Sequence, residues 1–225
     1  VVKAASMDDA RPILTGVLLA AEQEGLRLVA TDSYRMAIRD IPGTEILSRD
    51  ELVLIPSRAL DVVKRILRDG NELAVVLGEK EAVFKIGDTS IVTRLIEGEF
   101  PNYKGLIPEK NKNKLIINRE ETLAALQRVK LLAREATPIR LSMTDKKIEL
   151  LAIEQDIGQA TEIIEGTYSG EEITVAFNPD YLIDGLDVIS TEEVSLETTD
   201  ALKPAILKGL NEETFLYLLM PVRVS

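Results

Sequence analysis

The chain has no cysteine, no histidine and no tryptophan in 225 residues, and aromatic residues make up only 4% of it. Without cysteine there is neither a disulfide framework nor a thiolate metal site. Without histidine the commonest general base, the commonest metal ligand and every Ser-His or Cys-His nucleophile are missing. Catalysis would have to rest on carboxylates, Lys, Tyr or Ser, so the composition points away from an enzyme; neither a metal nor a cofactor is expected. No apolar run approaches the ~20 residues that a membrane helix needs, and no stretch of signal-peptide character heads the chain. These absences fit a cytoplasmic protein with no membrane partner. Acidic residues, by contrast, are in excess: 38 against 27 basic ones, a formal net charge of −11. That balance excludes a surface that coats nucleic acid on every side, while leaving room for a local basic face. The length suits two domains with separate cores. The start at Val1-Val2-Lys3, without an initiator Met, carries the expectation of a fragment or a processed product.

The stretch Ala30-Thr31-Asp32-Ser33-Tyr34-Arg35-Met36-Ala37 joins two strand-like runs. Upstream, Gly16 to Ala20 and Leu26 to Ala30 enclose a polar Glu22-Gln23-Glu24-Gly25 turn and read as a β-hairpin. Downstream, Met36 to Ile41 is another half-apolar run. The junction places Tyr34, Arg35 and Met36 at a strand end, where side chains can be shown to a partner. Val1 to Met7 reads as part of a helix, and Glu51 to Ile55 as a buried strand. Pro56 ends that strand and suits the first turn of a helix. From Ser57 to Asp69 the spacing predicts an amphipathic helix. Leu60, Val62, Val63, Ile66 and Leu67 share one side and Arg58, Lys64, Arg65 and Arg68 the other, with Gly70 and Asn71 as the stop. Short β runs follow at Leu73 to Leu77, Ala82 to Ile86 and Ser90 to Leu95. The polar connector Glu109 to Lys114 marks the expected boundary between domains 1–110 and 111–225.

The second half repeats this order. Arg119 to Arg134 has helical spacing, with Leu123, Leu126, Val129 and Ala133 on one side. Ile139 to Met143 and Ile148 to Ile153 form a hairpin. Glu172 to Phe177 is a strand, and Asn178-Pro179 opens a helix to about Ile189, with Asn178 as cap. This matches Leu52 to Ile66 in register. Phe215 to Leu219 is a further strand. A repeat of about 110 residues reads as two domains of one fold. Each is expected to be α+β, with two helices packed on antiparallel sheets.

Several runs occur in the order and spacing of a known family: Arg11-Pro12-Ile13-Leu14-Thr15-Gly16, Leu28-Val29-Ala30-Thr31-Asp32 with Arg35, Gly98-Glu99-Phe100-Pro101-Asn102-Tyr103, Phe177-Asn178 with Tyr181, and Leu219-Met220-Pro221-Val222-Arg223-Val224. Together they resemble the bacterial DNA polymerase III β subunit, the sliding clamp, over the whole chain. The resemblance implies tandem DNA-clamp domains corresponding to the second and third of three copies, the first being absent. Two full-length chains would close head-to-tail as a homodimeric ring around duplex DNA.

The resemblance also implies a groove between the second and third domains that takes a short, mostly extended peptide from polymerases, the clamp loader and repair proteins. Its apolar pocket would use Leu14, Thr31, Tyr34, Arg35, Met36, Pro101, Leu106, Leu202, Leu218 and Met220, with Leu219 beside them. A shallower subsite would use Asn178, Tyr181, Pro204, Pro221, Val222 and Arg223. Leu and Met give an adaptable apolar floor, and Tyr, Asn and Arg offer hydrogen bonds at the rim. Tyr34 and Met36 depart from the family's common His and Leu, and Ser33 from a frequent Gly. In the family the helices line the hole, so Arg58, Lys64, Arg65, Arg68 and Arg128 would face phosphates through salt-sensitive, sequence-independent contacts. Leu131 falls outside the apolar stripe of its helix. The resemblance gives Leu131 and Leu132 a hydrophobic contact with the first domain of the other chain, so this piece alone is expected to be a monomer. Two other readings compete: a carboxylate enzyme around Asp32, Tyr34, Arg35 and Glu99, and an acidic two-domain peptide-binding adaptor with no DNA role.

Overall fold

Gly16 to Ala20 is apolar without a break, and in the structure, a computed structural model describing residues 1–67, 72–133 and 137–224, every one of these residues is buried. A strand apolar on both faces belongs inside a sheet, and β1 (Gly16–Glu22) lies between β2 (Gly25–Thr31) and β4 (Leu52–Pro56). β3 (Arg35–Pro42) pairs with the other side of β2, giving an antiparallel order β3-β2-β1-β4. Arg27 and Asp40 are register partners across β2 and β3, joined by Nε–Oδ1 at 2.6 Å and a second bond at 2.9 Å. After β4 comes α1 (Ser57–Ile66), then a three-stranded antiparallel sheet of β5 (Ala74–Leu77), β6 (Glu81–Ile86) and β7 (Thr89–Arg94). These elements lie in the first of two compact units, Val1–Pro101.

The second unit, Asn102–Ser225, begins ahead of the polar connector Glu109 to Lys114. Its elements are β8 (Asn113–Asn118), α2 (Arg119–Lys130), β9 (Ile139–Met143), β10 (Ile148–Glu154), β11 (Gly158–Ile164), β12 (Gly166–Ser169), β13 (Ile173–Phe177), α3 (Pro179–Asp187), β14 (Glu193–Thr198), β15 (Ala205–Gly209) and β16 (Phe215–Leu219). One sheet runs β11-β10-β9-β13, and the other strands run β12-β8-β14-β15-β16. The order β11-β10-β9-β13 repeats β3-β2-β1-β4, and in both units the fourth strand feeds a helix. The repeat is therefore one of architecture as well as of sequence pattern.

The helix starts follow from local chemistry. Asn118 Oδ1 accepts from Glu121 N at 3.1 Å, and Glu120 and Glu121 sit where the helix dipole favours negative charge. Asn178 Oδ1 accepts from Asp180 N at 2.8 Å and from Tyr181 N at 3.4 Å, with Pro179 in the first turn. Leu123, Leu126 and Val129 are buried along α2, and Leu182 and Leu186 along α3; each such leucine contributes about 2 kcal/mol of burial.

Several expectations are corrected. The α+β class and the tandem repeat stand, and the second unit has the two helices expected, α2 and α3. Among the described residues the first unit has one α-helix, and Val1 to Met7 holds only a 3-10 turn, Val2–Ala4. α1 stops at Ile66 rather than Asp69, because Leu67 turns extended at ψ 116°. Val62 is 41% exposed, so it does not belong to the buried side of α1. Pro56 occupies the cap position of α1, whereas Pro179 lies inside α3. α2 ends at Lys130 rather than Arg134: Leu131 N bonds Arg128 O and Leu132 N bonds Val129 O, and this i→i+3 tightening closes the last turn. Arg68, Gly70, Asn71 and Arg134 lie outside the described residues.

Candidate functional site

In the first unit, the chain between β2 and β3 is held by its own side chains. Asp32 Oδ1 accepts from Tyr34 N at 2.9 Å and from Arg35 N at 3.0 Å, while Oδ2 accepts from Arg35 Nε at 3.0 Å. Thr31 Oγ1 donates to Arg35 O at 2.7 Å and lies 3.1 Å from Ser33 N, which donates to it. Ser33 has φ +81°, a left-handed backbone that suits glycine better than serine. Its Oγ accepts from Arg11 at 3.4 Å. The carboxylate and guanidinium of Asp32 and Arg35 are each 11% exposed, yet Tyr34 is 58% exposed. Thr31, Tyr34, Arg35 and Met36 are thus brought together at one strand end, with only Tyr34 thrust outward. Met36 is buried, as is Leu14 in the 3-10 turn Pro12–Thr15, and Pro101 is exposed. Both oxygens of Asp32 accept from N–H groups of this turn, so the carboxylate's contacts here are structural ones that fix the backbone.

In the second unit, the end of β13 gathers another group. Val222 N donates to Ala176 O at 2.8 Å, so the chain after β16 runs back beside β13 and the Asn178 cap. Asn178, Tyr181, Pro204, Pro221 and Val222 are half-buried and Arg223 is exposed. The pairs Ala205↔Leu219 and Ile206↔Leu218 set Pro204 opposite the end of β16, with Leu218 and Leu219 buried. Leu202 is 60% exposed on a turn fixed by Asp200, whose Oδ1 accepts from Leu202 N at 2.8 Å and Lys203 N at 2.9 Å. The bond from Leu202 N leads the causes that hold the Asp200 carboxyl below its ordinary pKa. Leu106 and Met220 are exposed.

The cationic residues are partnered more than the sequence suggested. Arg58 lies 3.2 Å from Asp9, Arg65 pairs with Asp61 one turn earlier on α1, and Arg128 bonds Glu162 on β11 at 2.8 and 3.1 Å. Lys64 is exposed and has no acidic partner among the described residues. Exposed pairs of this kind contribute little to stability, and phosphates can compete for their cations. Leu131 is 89% exposed at the end of α2 and Leu132 is half-buried. The acidic partners Asp9, Asp61 and Glu162 were missed in the sequence; only Asp61, four residues before Arg65, had a readable spacing. Among the described residues no cluster of three or more His, Cys, Asp or Glu side chains could hold a metal ion, and no helix is long and apolar enough to cross a membrane.

Comparison with known proteins gives one family. Residues 1–102 match the family model for the DNA polymerase III beta subunit, central domain, and residues 104–223 match that for its C-terminal domain. The beta sliding clamp of Bacillus subtilis (strain 168) is 36% identical over 229 residues, covering 98% of this chain and 60% of that protein. The beta sliding clamp of Streptomyces coelicolor is 34% identical over 236 residues, covering 99% and 62%. A crystal structure of the DNA polymerase sliding clamp from Bacillus subtilis aligns with a TM-score of 0.93 at 35% identity, over 100% of this chain and 60% of that one. The sliding clamp from Pseudomonas aeruginosa bound to griselimycin aligns at TM-score 0.93 and 27% identity, over 99% and 61%. The chain thus spans about 60% of the length of these relatives.

Proposed function

The chain belongs to the DNA polymerase III beta subunit family, and on that premise we propose that it supplies the central and C-terminal domains of a cytoplasmic sliding clamp. In the whole protein the ring is a head-to-tail homodimer that encircles duplex DNA and tethers the replicative polymerase, with no catalytic step of its own. Clamp-loader, polymerase and repair-protein peptides engage two sets of residues, one in each unit. The exposed members make direct contact: Tyr34 and Pro101 in the first unit, and Leu106, Leu202, Met220 and Arg223 in the second. In the second unit Asn178, Tyr181, Pro204, Pro221 and Val222 border the exposed members, and the buried Leu218 and Leu219 support them; in the first unit that support comes from the buried Leu14, Thr31 and Met36, with Arg35 in the same turn as Tyr34.

The observation that carries this reading is the display of large apolar side chains on turns whose backbones are fixed. Tyr34 and Leu202 are 58% and 60% exposed, each on a turn tied by an aspartate. Side chains that water would rather not surround, held in one place, favour a ligand that covers them. Arg58, Lys64, Arg65, Arg68 and Arg128 are the proposed phosphate contacts. Leu131 and Leu132 are the proposed ring contact, and the chain by itself is a monomer.

A pull-down on an immobilised Gln- and Leu-containing peptide tests the peptide reading. Tyr34→Ala and Met220→Ala should each reduce capture, and capture indifferent to both would overturn the placement. Light scattering tests the oligomeric state, where a stable closed dimer of this chain would contradict it. In a full-length ring, removal of the α1 cations should weaken DNA loading and retention.

A further inference from the structure

Asp32 is absent from the peptide-contacting set, yet with Arg35 it makes most of the turn's bonds. Its carboxylate accepts from the two backbone N–H groups flanking the Tyr34 side chain, Tyr34 N at 2.9 Å and Arg35 N at 3.0 Å, and from Arg35 Nε at 3.0 Å. Asp32 N also donates to Arg35 O at 3.3 Å. The residue is 8% exposed. A partly buried ion pair is a costly way to make a turn if the turn is all that is needed.

The repeat supplies an internal control. The corresponding connection in the second unit, from β10 to β11, is closed by Ile157 N donating to Glu154 O at 3.1 Å, with Gly158 at φ +137°. Gln155, Asp156 and Ile157 are exposed there, and no side chain bonds that turn's backbone among the described residues. The fold therefore closes this position without a carboxylate box. What the first unit gains from Asp32 is a single backbone geometry beneath an outward-facing aromatic ring.

Resting on the peptide-binding reading above, we propose that Asp32 is the positioning residue of that site, holding Tyr34 in its ligand-ready direction before the peptide arrives. Preorganisation of this kind raises affinity by removing ordering costs from the binding step. Ser33 contributes through its left-handed backbone and its bond from Arg11, which ties the turn to the Asp8–Arg11 segment through Arg11 Nε and Asp8 Oδ2 at 3.2 Å.

The experiment is a double-mutant cycle read by fluorescence anisotropy with a labelled Gln- and Leu-containing peptide, using the 225-residue chain. Asp32→Ala should weaken binding about tenfold or more in the wild-type background and have almost no further effect in the Tyr34→Ala background. Asp32→Asn retains the acceptor for both backbone N–H groups and should lose less. In parallel, hydrogen exchange of the Tyr34 and Arg35 amides should quicken in Asp32→Ala while β1 and β2 keep their protection; uniform loss of protection marks a folding defect, and the Asp32→Asn result then decides. Equal losses in both backgrounds, or unchanged binding by Asp32→Ala where Tyr34→Ala weakens it, overturn the proposal. If Tyr34→Ala leaves affinity unchanged, the peptide site itself is misplaced and this proposal falls with it. Unaltered exchange at Tyr34 and Arg35 in Asp32→Ala refutes the positioning role whatever the peptide does.

Discussion

Arg128 grips the Glu162 carboxylate through two hydrogen bonds, Nε–Oε1 at 2.8 Å and a second at 3.1 Å, and so fastens α2 to β11. The hydrogen bond from Arg128 is the leading cause that holds the Glu162 carboxyl below its ordinary value; partial burial opposes it and the Arg128 charge adds to it. A carboxyl with a depressed pKa contributes stability above its unfolded value, and loses it as pH falls through the folded value. Urea unfolding of the wild type and Glu162→Gln should therefore differ at neutral pH and converge in acid, below the ordinary pKa of 4.5. The gap should also shrink in high salt. A gap independent of pH would show that the pair does not titrate as described.

Partnering also ranks the cations of α1. Arg65 is neutralised locally by Asp61, whereas Lys64 forms no ion pair with an acidic side chain among the described residues. In a full-length ring, Lys64→Ala should lower DNA affinity more than Arg65→Ala. Each lost phosphate contact should reduce the slope of log K against log salt by about 0.9. Equal losses from the two substitutions would mean that Asp61 releases Arg65 when DNA is present.

On α3, Gly185 sits where helix propensity and packing disagree. Alanine there would gain about 1 kcal/mol of helix propensity. Its Cβ, however, would stand 2.6 Å from Tyr217 Cδ1 and 3.0 Å from Leu207 Cδ2, both side chains in the core. Overpacking at such a site costs about 1–3 kcal/mol, and a buried ring cannot swing away as an exposed chain end could. Gly185→Ala should therefore destabilise the protein by up to about 2 kcal/mol in denaturant unfolding; a stabilised variant would show that the core yields.

These sites also show what could be read from residue order alone. The hairpins β1-β2 and β9-β10 were legible because apolar runs met turn residues of the right kind. β8 was lost in part because Leu115-Ile116-Ile117 follows a polar connector. β14 was missed because Ser195 and Thr198 are buried on it, and buried polar residues break the pattern. α1 was overextended because periodicity carries no signal for the extended backbone at Leu67. At the candidate site the resemblance supplied a list of residues, exposed and buried alike. It did not supply the bonds among them or the part played by Asp32, which acts through a backbone whose direction is set by the left-handed Ser33. An aspartate followed at three residues by arginine, inside a polar turn, was the available clue.

Leu126 and Leu131 lie five positions apart near the end of α2 and should behave as opposites. Leu126 is completely buried, so Leu126→Ala removes packed methyl groups and leaves a cavity, at a cost of about 2–5 kcal/mol. Leu131 is 89% exposed, beyond the last helical turn, and nothing among the described residues covers most of it. Leu131→Ala should change stability by no more than about 0.5 kcal/mol. If Leu131 serves an interface, its cost belongs to association: the same change in a full-length chain should raise the dimer dissociation constant while leaving unfolding of this chain untouched. Sedimentation of the full-length variants and denaturant melts of the short ones separate the two quantities. A large loss of stability in the short chain would mean that Leu131 packs within its own unit, and the ring contact would have to be sought elsewhere on the surface.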